Sequence, residues 1–261
     1  MRVHLYAICW NESRMLDFFF RHYEPWVDRF VLFDDGSTDG SLDILKSKQR
    51  VEVRRFKRSN PDSFELSLKT LHDECWKESR GACDFVVVTD FDEHLYHPAL
   101  GDYLENCKHR GVSIMPALGF NMVTEEFPDY REHLARTRTL GAPSAYYSKL
   151  RIFDPDLIDE TDFAIGGHGA RPTGKLMLPE RDELLLLHYK QLGYDYPLQR
   201  NRFLIAGLGP IDLKNNWGFH YFRGNEEQTR LRKELSKILV DIRDPAYLPW
   251  RDHPEPRWWR S

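Results

Sequence analysis

The chain has no apolar run approaching the roughly 20 residues of a membrane-spanning helix, so nothing in it reads as a span. Its opening, MRVHLYAICWNE, meets a charge and an amide too early for a secretory signal and reads instead as the first strand of the fold. Cysteine is scarce. The four residues Cys9, Cys75, Cys83 and Cys107 lack the paired spacing of a zinc finger and are too sparse for a disulfide framework at this length. They are expected as reduced thiols in or near the core of a cytoplasmic protein. An excess of positive charge is missing too. With 37 Lys and Arg against 41 Asp and Glu, the formal net charge is -4, and no overall field draws nucleic acid. There is no internal repeat, low-complexity tract or clear linker.

What is present is ordinary for a globular protein: 41% hydrophobic and 30% charged residues over 261 positions, enough for one large α/β domain or two small ones. Seven Trp are compatible with stacking on a base or sugar, but aromatics are more often core or interface residues. The first hundred residues alternate short apolar runs with helical stripes. Val3 to Cys9 reads as a strand, then a polar turn, Asn11-Glu12-Ser13, with Ser13 placed to cap a helix from Met15 to Trp26. Phe30 to Phe33 is a second strand, running into Asp34-Asp35-Gly36-Ser37-Thr38-Asp39-Gly40, a tight strand-to-helix loop in which Asp39 or Ser41 can cap the helix from Leu42 to Lys46. Val51 to Phe56 alternates as a third strand. A helix from Ser63 to Ser79 follows, with Leu66, Leu71, Cys75 and Trp76 as candidate inward positions.

The fourth strand, Phe85 to Val88, is continuously apolar, as in a strand buried on both faces. It delivers Asp90, Phe91, Asp92 and Glu93. In an extended chain Asp90 and Asp92 share a side. Carboxylates about 4 Å apart repel by about 4 kcal/mol at a surface-like effective dielectric, so a cleft holding both wants a proton or a cation. A hard divalent ion meets that need and commonly brings substrate phosphates with it. The same residues would also serve as an acidic turn capping the next helix.

This β-α-β-α-β-α-β order predicts a doubly wound, mostly parallel sheet flanked by helices, whose ligands bind outside the carboxyl ends of the strands. Three polar sets fall there: Asn11-Glu12, Asp34-Asp35 and Asp90-Asp92. The second half is less regular. A helix runs from Pro98 to about His109, and Val112 to Leu118 is a strand. Gly119 to Tyr147 is loop-rich and includes Glu125-Glu126. Lys149 to Phe153 is a short strand. Gly166-Gly167-His168-Gly169 is a glycine loop, and Leu184 to Leu187 is a buried strand presenting His188-Tyr189-Lys190. Helices are expected over Tyr196 to Ala206 and Glu226 to Val240, the latter with Leu231, Leu235, Ile238 and Leu239 facing inward. The organisation reads as one domain over 1–261: a nucleotide-binding half at 1–97, an acceptor and metal half at 98–205, and a C-terminal helix and Trp/Arg-rich tail at 206–261.

VHLYAICWNES, FVLFDDGSTDGS, FVVVTDFDEHLY and the late LLLLHYK together resemble the nucleotide-sugar glycosyltransferases of family 2 and their relatives, which have the GT-A fold. The likeness covers residues 1–97 and becomes patchy to about 205. It implies that Asp35 binds the nucleotide base and that Ala7, Cys9, Asn11 and Glu12 line its pocket. Asp90 would sit near ribose and metal, and Asp92 would ligate Mn2+ or Mg2+. It implies a late histidine in the metal shell, with His188 the first choice and His168 the second. Lys190, Arg200 and Arg202 are candidates for the diphosphate, although a solvated helix face explains the arginines as well. The donor would be a UDP-, GDP- or dTDP-linked sugar and the acceptor a saccharide or lipid-linked hydroxyl, in surface polysaccharide or glycoconjugate assembly.

Family members generally invert the anomeric centre, which requires a carboxylate base. The usual acidic dipeptide is not recognisable here. Glu160 and Asp162 rank first because they precede the glycine loop, ahead of Asp159, Glu125 and Glu126; each also reads as a plain surface acid. Alternatives are a binding module without catalysis, a nucleotidyltransferase, and a phosphotransferase using an Asp nucleophile, which would place its motif after the first strand. The tail, with Trp250, Arg251, Arg257, Trp258, Trp259 and Arg260, suits either a lipid interface at the inner face of the membrane or packing on its own domain.

Overall fold

The computed structural model describes residues 1–260. The strands are β1 (Val3–Cys9), β2 (Arg29–Asp34), β3 (Val51–Arg55), β4 (Phe85–Val88), β5 (Glu93–Tyr96), β6 (Ile114–Thr124), β7 (Leu140–Pro143), β8 (Lys149–Phe153), β9 (Ile158–Glu160), β10 (Thr173–Gly174), β11 (Leu185–Leu192) and β12 (Val240–Asp241). The helices are α1 (Ser13–Tyr23), α2 (Ser41–Lys46), α3 (Phe64–Glu74), α4 (Leu100–His109), α5 (Leu134–Thr137), α6 (Asp195–Gly207), α7 (Pro210–Lys214), α8 (Asn225–Ser236) and α9 (Pro249–Asp252).

One sheet runs in the order β12-β7-β6-β8-β4-β1-β2-β3, with β11 also joining β6 and β5. Strands β3, β2, β1 and β4 are mutually parallel, while β8 enters antiparallel between β4 and β6. The 3-2-1-4 order is half of a doubly wound sheet, and its switch point lies between the carboxyl ends of β1 and β4. With the reversed β8 and the mixed second half, this is the GT-A type of Rossmann-like architecture. Both faces are covered, as the continuous apolar runs predict. Val3, Leu5, Ala7 and Cys9 of β1 join one core with α1, whereas Tyr6 and Ile8 join a second core containing Phe64 and Trp76.

Four local expectations change. Ser13 is the first residue of α1 rather than its cap, because its backbone N–H is taken by Asp39 Oδ2 at 2.9 Å. The stretch after Gly119 is not loop throughout. β6 continues to Thr124, and β7 pairs with it, since both its neighbours satisfy its backbone. Of the expected inward positions, Trp76 is fully buried and Leu71 and Cys75 pack against the second core, but α3 itself buries Phe64, Glu65, Ser67 and His72, because much of that face turns to a polar cavity. Similarly α8 ends at Ser236 and buries Gln228 and Arg232, while Ile238 is exposed. Arg232 donates to the carbonyls of Gln191 and Gly193, each at 2.9 Å, and also to that of Thr124, so this helix is fastened by strand-end carbonyls rather than grease.

The four cysteines are free, with Cys9, Cys83 and Cys107 buried. The tail packs on its own chain. The buried carboxylate of Asp182 accepts from Trp259 Nε1 at 3.0 Å, Arg257 Nη1 at 3.1 Å and Arg260 Nη2 at 2.9 Å. Among the described residues no helix is long and apolar enough to cross a membrane.

Candidate active site

At the switch point the loops after β1 and β2 are tied into one unit. Asn11 N–H donates to Ser37 Oγ at 2.9 Å, Glu12 N–H to Ser41 Oγ at 2.8 Å, and Thr38 N–H to Asn11 Oδ1 at 2.7 Å. Asp34, Ser37 and Asp39 thus spend their side chains on the backbone, as short polar residues do in turns. Asp35 points elsewhere, to Arg58 Nη2 at 3.0 Å.

Beside this unit lies a cavity of about 440 Å³, within the range of small-molecule sites. Of the residues singled out from the sequence, Glu12, Asp90, Asp92, His168, His188, Lys190 and Arg200 line it. Ala7, Cys9, Asn11 and Asp35 sit on the adjoining strand and loops without lining it. Glu160 and Asp162 also lie outside it, ion-paired to Lys77 at 2.7 Å and Lys69 at 3.0 Å.

Backbone register explains the convergence. β5 and β11 are antiparallel with His188 opposite Glu93, and the Tyr189 N–H donates to the Asp92 carbonyl at 2.7 Å. This sets His188 Nε2 3.3 Å from Asp92 Oδ2. Burial pushes the Asp92 carboxyl up, but His188 more than offsets it and leaves the group below the ordinary aspartate range. Lys190, two residues further on, is buried, with Nζ 4.4 Å from the centre of the Tyr221 ring. Burial lowers its pKa to about 8 against the pull of Asp92.

Because β8 runs antiparallel to β4, its first residues reach the acidic end of that strand. Arg151, fully buried, pairs with Asp90 at 2.9 Å and Glu93 at 2.7 Å, and Lys149 pairs with Glu93 at 2.8 Å. Burial opposes the charge on Glu93, yet these two cations hold it well below the usual range. Asp90 goes the other way, raised by burial and by Glu93. Gly167 fits against this cluster: at φ +68° a Cβ would lie 3.1 Å from Arg151 Nη1. Across the cavity Arg200 pairs with Glu12 and donates to the Trp10 carbonyl at 2.7 Å, so it is committed to holding the β1 loop.

Sequence reasoning missed Lys149, Arg151, Glu65 and His72. The first two had a signal: cations alternating with Leu150 and Ile152 inside a central strand require buried acids nearby.

Among the described residues no group of three His, Cys, Asp or Glu side chains could hold a metal by itself. The Asp92 and His188 pair nevertheless offers one oxygen and one nitrogen donor side by side, and His188 Nδ1 is buried with no hydrogen-bond partner. Two protein donors fit a divalent cation that takes its remaining positions from phosphate oxygens and water. Asp90 is already partly engaged by Arg151.

The fold and cavity define a GT-A-type α/β protein with an acidic cleft at its switch point. No family model matches the chain, and no curated protein matches it in sequence. Solved structures to which it is similar include S. aureus TarS, with 13% identity over 90% of this chain and 42% of that one, TM-score 0.37. Another is glucosyl-3-phosphoglycerate synthase from Mycobacterium tuberculosis in complex with Mn2+, UDP and phosphoglyceric acid, with 20% identity over 64% and 60% of the two chains, TM-score 0.38. A third is 4-diphosphocytidyl-2C-methyl-D-erythritol synthase from Anaerococcus prevotii, with 11% identity over 60% and 71%, TM-score 0.33. The chain spans less than half the length of the TarS chain, at 42%.

Proposed function

We propose that this chain is a metal-dependent glycosyltransferase that moves a sugar from a nucleoside-diphosphate donor to a hydroxyl of a saccharide or lipid-linked acceptor. The observation that carries the reading is the Asp92 and His188 pair, set beside Lys190 in the cleft where β1 and β4 diverge. Asp92 and His188 would hold Mn2+ or Mg2+, with Asp90 beside them. The bound cation would supply a Lewis acid for the departing diphosphate. Lys190 would place a positive charge against the same oxygens. The loops carrying Asn11 and Asp35 would receive the nucleoside. A single displacement in this cleft inverts the anomeric centre, and the acceptors named suit polysaccharide or glycoconjugate assembly.

Calorimetry with UDP, GDP and dTDP, each with and without Mn2+, tests this. Tighter binding of at least one nucleotide in the presence of metal is expected; no metal-dependent binding of any of them defeats the proposal. Release of pyrophosphate in place of a nucleoside diphosphate from a sugar donor would reassign the chain as a nucleotidyltransferase.

A further inference from the structure

Five carboxylates line the cavity: Glu12, Glu65, Asp90, Asp92 and Glu93. Four are spoken for. Glu12 pairs with Arg200, Asp90 with Arg151, Asp92 with His188, and Glu93 with Lys149 and Arg151. Among the described residues Glu65 alone of the five has neither an ion pair nor a hydrogen bond, although it is only 5% exposed. A nearly buried carboxylate normally finds a partner, because an unpaired buried charge is costly. One left free and aimed into a cleft is available to something that enters the cleft.

Its position is rigidly set. Glu65 lies in the first turn of α3, where Ser63 Oγ accepts the Leu66 N–H at 3.0 Å. Asp212 of α7 clamps the same turn. It accepts the Phe64 and Gly209 N–H groups, each at 2.8 Å, together with the Ser63 hydroxyl. Gly209 permits this closeness, since a Cβ there would lie 2.2 Å from the Asp62 carbonyl oxygen. Two segments nearly 150 residues apart therefore hold one unpaired acid at the cavity wall.

Resting on the glycosyltransferase reading, we propose that Glu65 is the base of the transfer. As the acceptor oxygen forms its bond to the anomeric carbon, the bond to the diphosphate breaks. The nucleoside diphosphate leaves with the electron pair, the acceptor hydroxyl proton passes to the Glu65 carboxylate, and Glu65 later returns it to solvent. Glu160 and Asp162 do not compete for this role: neither lines the cavity, and each is paired to a lysine, Lys77 and Lys69 respectively. The electrostatics suit the task. Burial, Asp212 and Asp90 raise the Glu65 carboxyl to about 7, against Lys149 and Lys190. A base poised there is about half ionised at neutral pH and holds a proton well once it has taken it. Lys69 and His72 of its own helix also line the cavity, and Tyr146 and Tyr221 lie close enough to feel its charge.

The test compares wild type, Glu65→Gln and Glu65→Asp. Mn2+-dependent binding of UDP, GDP and dTDP is measured by calorimetry. Nucleoside diphosphate release is measured from a panel of the corresponding sugar donors, with water and with free saccharides as acceptors. Glu65→Gln is expected to bind metal and nucleotide as wild type does, while kcat falls by roughly 10²- to 10⁴-fold. The acid limb of kcat/KM near pH 7 should vanish in that variant and persist in Glu65→Asp. Turnover of Glu65→Gln within a few-fold of wild type, or an unchanged acid limb, overturns the assignment. Wild type that binds no nucleotide with metal would instead defeat the functional reading itself. Should nucleotide bind but no donor in the panel turn over, 13C NMR of the carboxyl that disappears in Glu65→Gln decides. A midpoint near 7 supports the role, and one in the ordinary glutamate range overturns it.

Discussion

Asp92 is tied to β11 twice, once where the Tyr189 N–H donates to its carbonyl at 2.7 Å and once where its side chain meets His188 at 3.3 Å. The backbone link makes the side-chain pair insensitive to loop motion. It follows that Asp92→Asn should leave the fold intact, since β5 pairs through its main chain. Metal-dependent nucleotide binding should weaken by on the order of a hundredfold or more, as for loss of a direct ligand. Calorimetry reads the binding and circular dichroism the fold. Retained metal-dependent affinity would remove Asp92 from the site.

Arg151 pairs with both Asp90 and Glu93, and Lys149 is the second cation on Glu93. Arg151→Met should therefore destabilise by about 3–5 kcal/mol, the cost of removing one partner from a buried ionic cluster. Adding Glu93→Gln should recover part of the loss, because Glu93, left with Lys149 as its one cation, is then neutral. Urea unfolding of the single and double variants measures both. A single variant within about 0.5 kcal/mol of wild type would show that Arg151 is dispensable.

The parallel half of this molecule was readable because its strands are apolar on both faces and end abruptly in Asn11-Glu12, Asp34-Asp35 and Asp90-Asp92. His188 was readable for the same reason, following Leu184 to Leu187. What failed to announce itself was burial of charge. Lys149 and Arg151 look like the wet face of a short strand until β8 is known to run antiparallel beside β4. Glu65 and His72 look like helix surface until the α6 to α7 segment and the glycine loop roof the cavity. Those are long-range closures, and no local period encodes them.

His22 and His72 are buried and neutral. His22 stacks on His94 at 4.5 Å between ring centres and meets the Leu95 carbonyl through Nε2 at 2.8 Å; its other neighbour is His133. His72 faces Arg151, Lys149 and Glu93. Burial takes both down to about 3, helped by His133 and Arg151 respectively. In the unfolded chain each would titrate near 6.5. Between those limits the unfolded state binds more protons, so stability is full above pH ~6.5 and declines as pH falls toward 3. Each histidine contributes at most about 1.4 kcal/mol per pH unit. Glu12 and Glu65, with raised values, act in the opposite sense, so the difference between proteins is the clean measure. His22→Gln/His72→Gln should lose stability less steeply than wild type between pH 6.5 and pH 4.5 in urea titrations. Identical slopes would mean that these rings already bind protons in the folded state.

Asp182 is the anchor of the C-terminal tail, accepting from Trp259, Arg257 and Arg260 while itself nearly inaccessible. Asp182→Ala strips three donors of one acceptor and leaves the buried guanidinium of Arg257 without its buried counter-ion. The tail should then detach before the sheet unfolds, because Asp182 is the shared acceptor of Arg257, Trp259 and Arg260. Trypsin should cut after Arg257 and Arg260 at least about tenfold faster, with a red shift in tryptophan emission. The same variant separates the two uses of an aromatic and basic tail. While docked, Trp259 and Arg257 are spent on the protein and unavailable to lipid. A released tail presents both to an anionic surface, the pairing that favours interfacial binding. Asp182→Ala should therefore co-sediment with anionic vesicles more strongly than wild type and lose that gain when residues from Pro254 onward are deleted. Equal sedimentation of wild type and variant, abolished by the deletion in both, would show that the docked tail already meets the membrane.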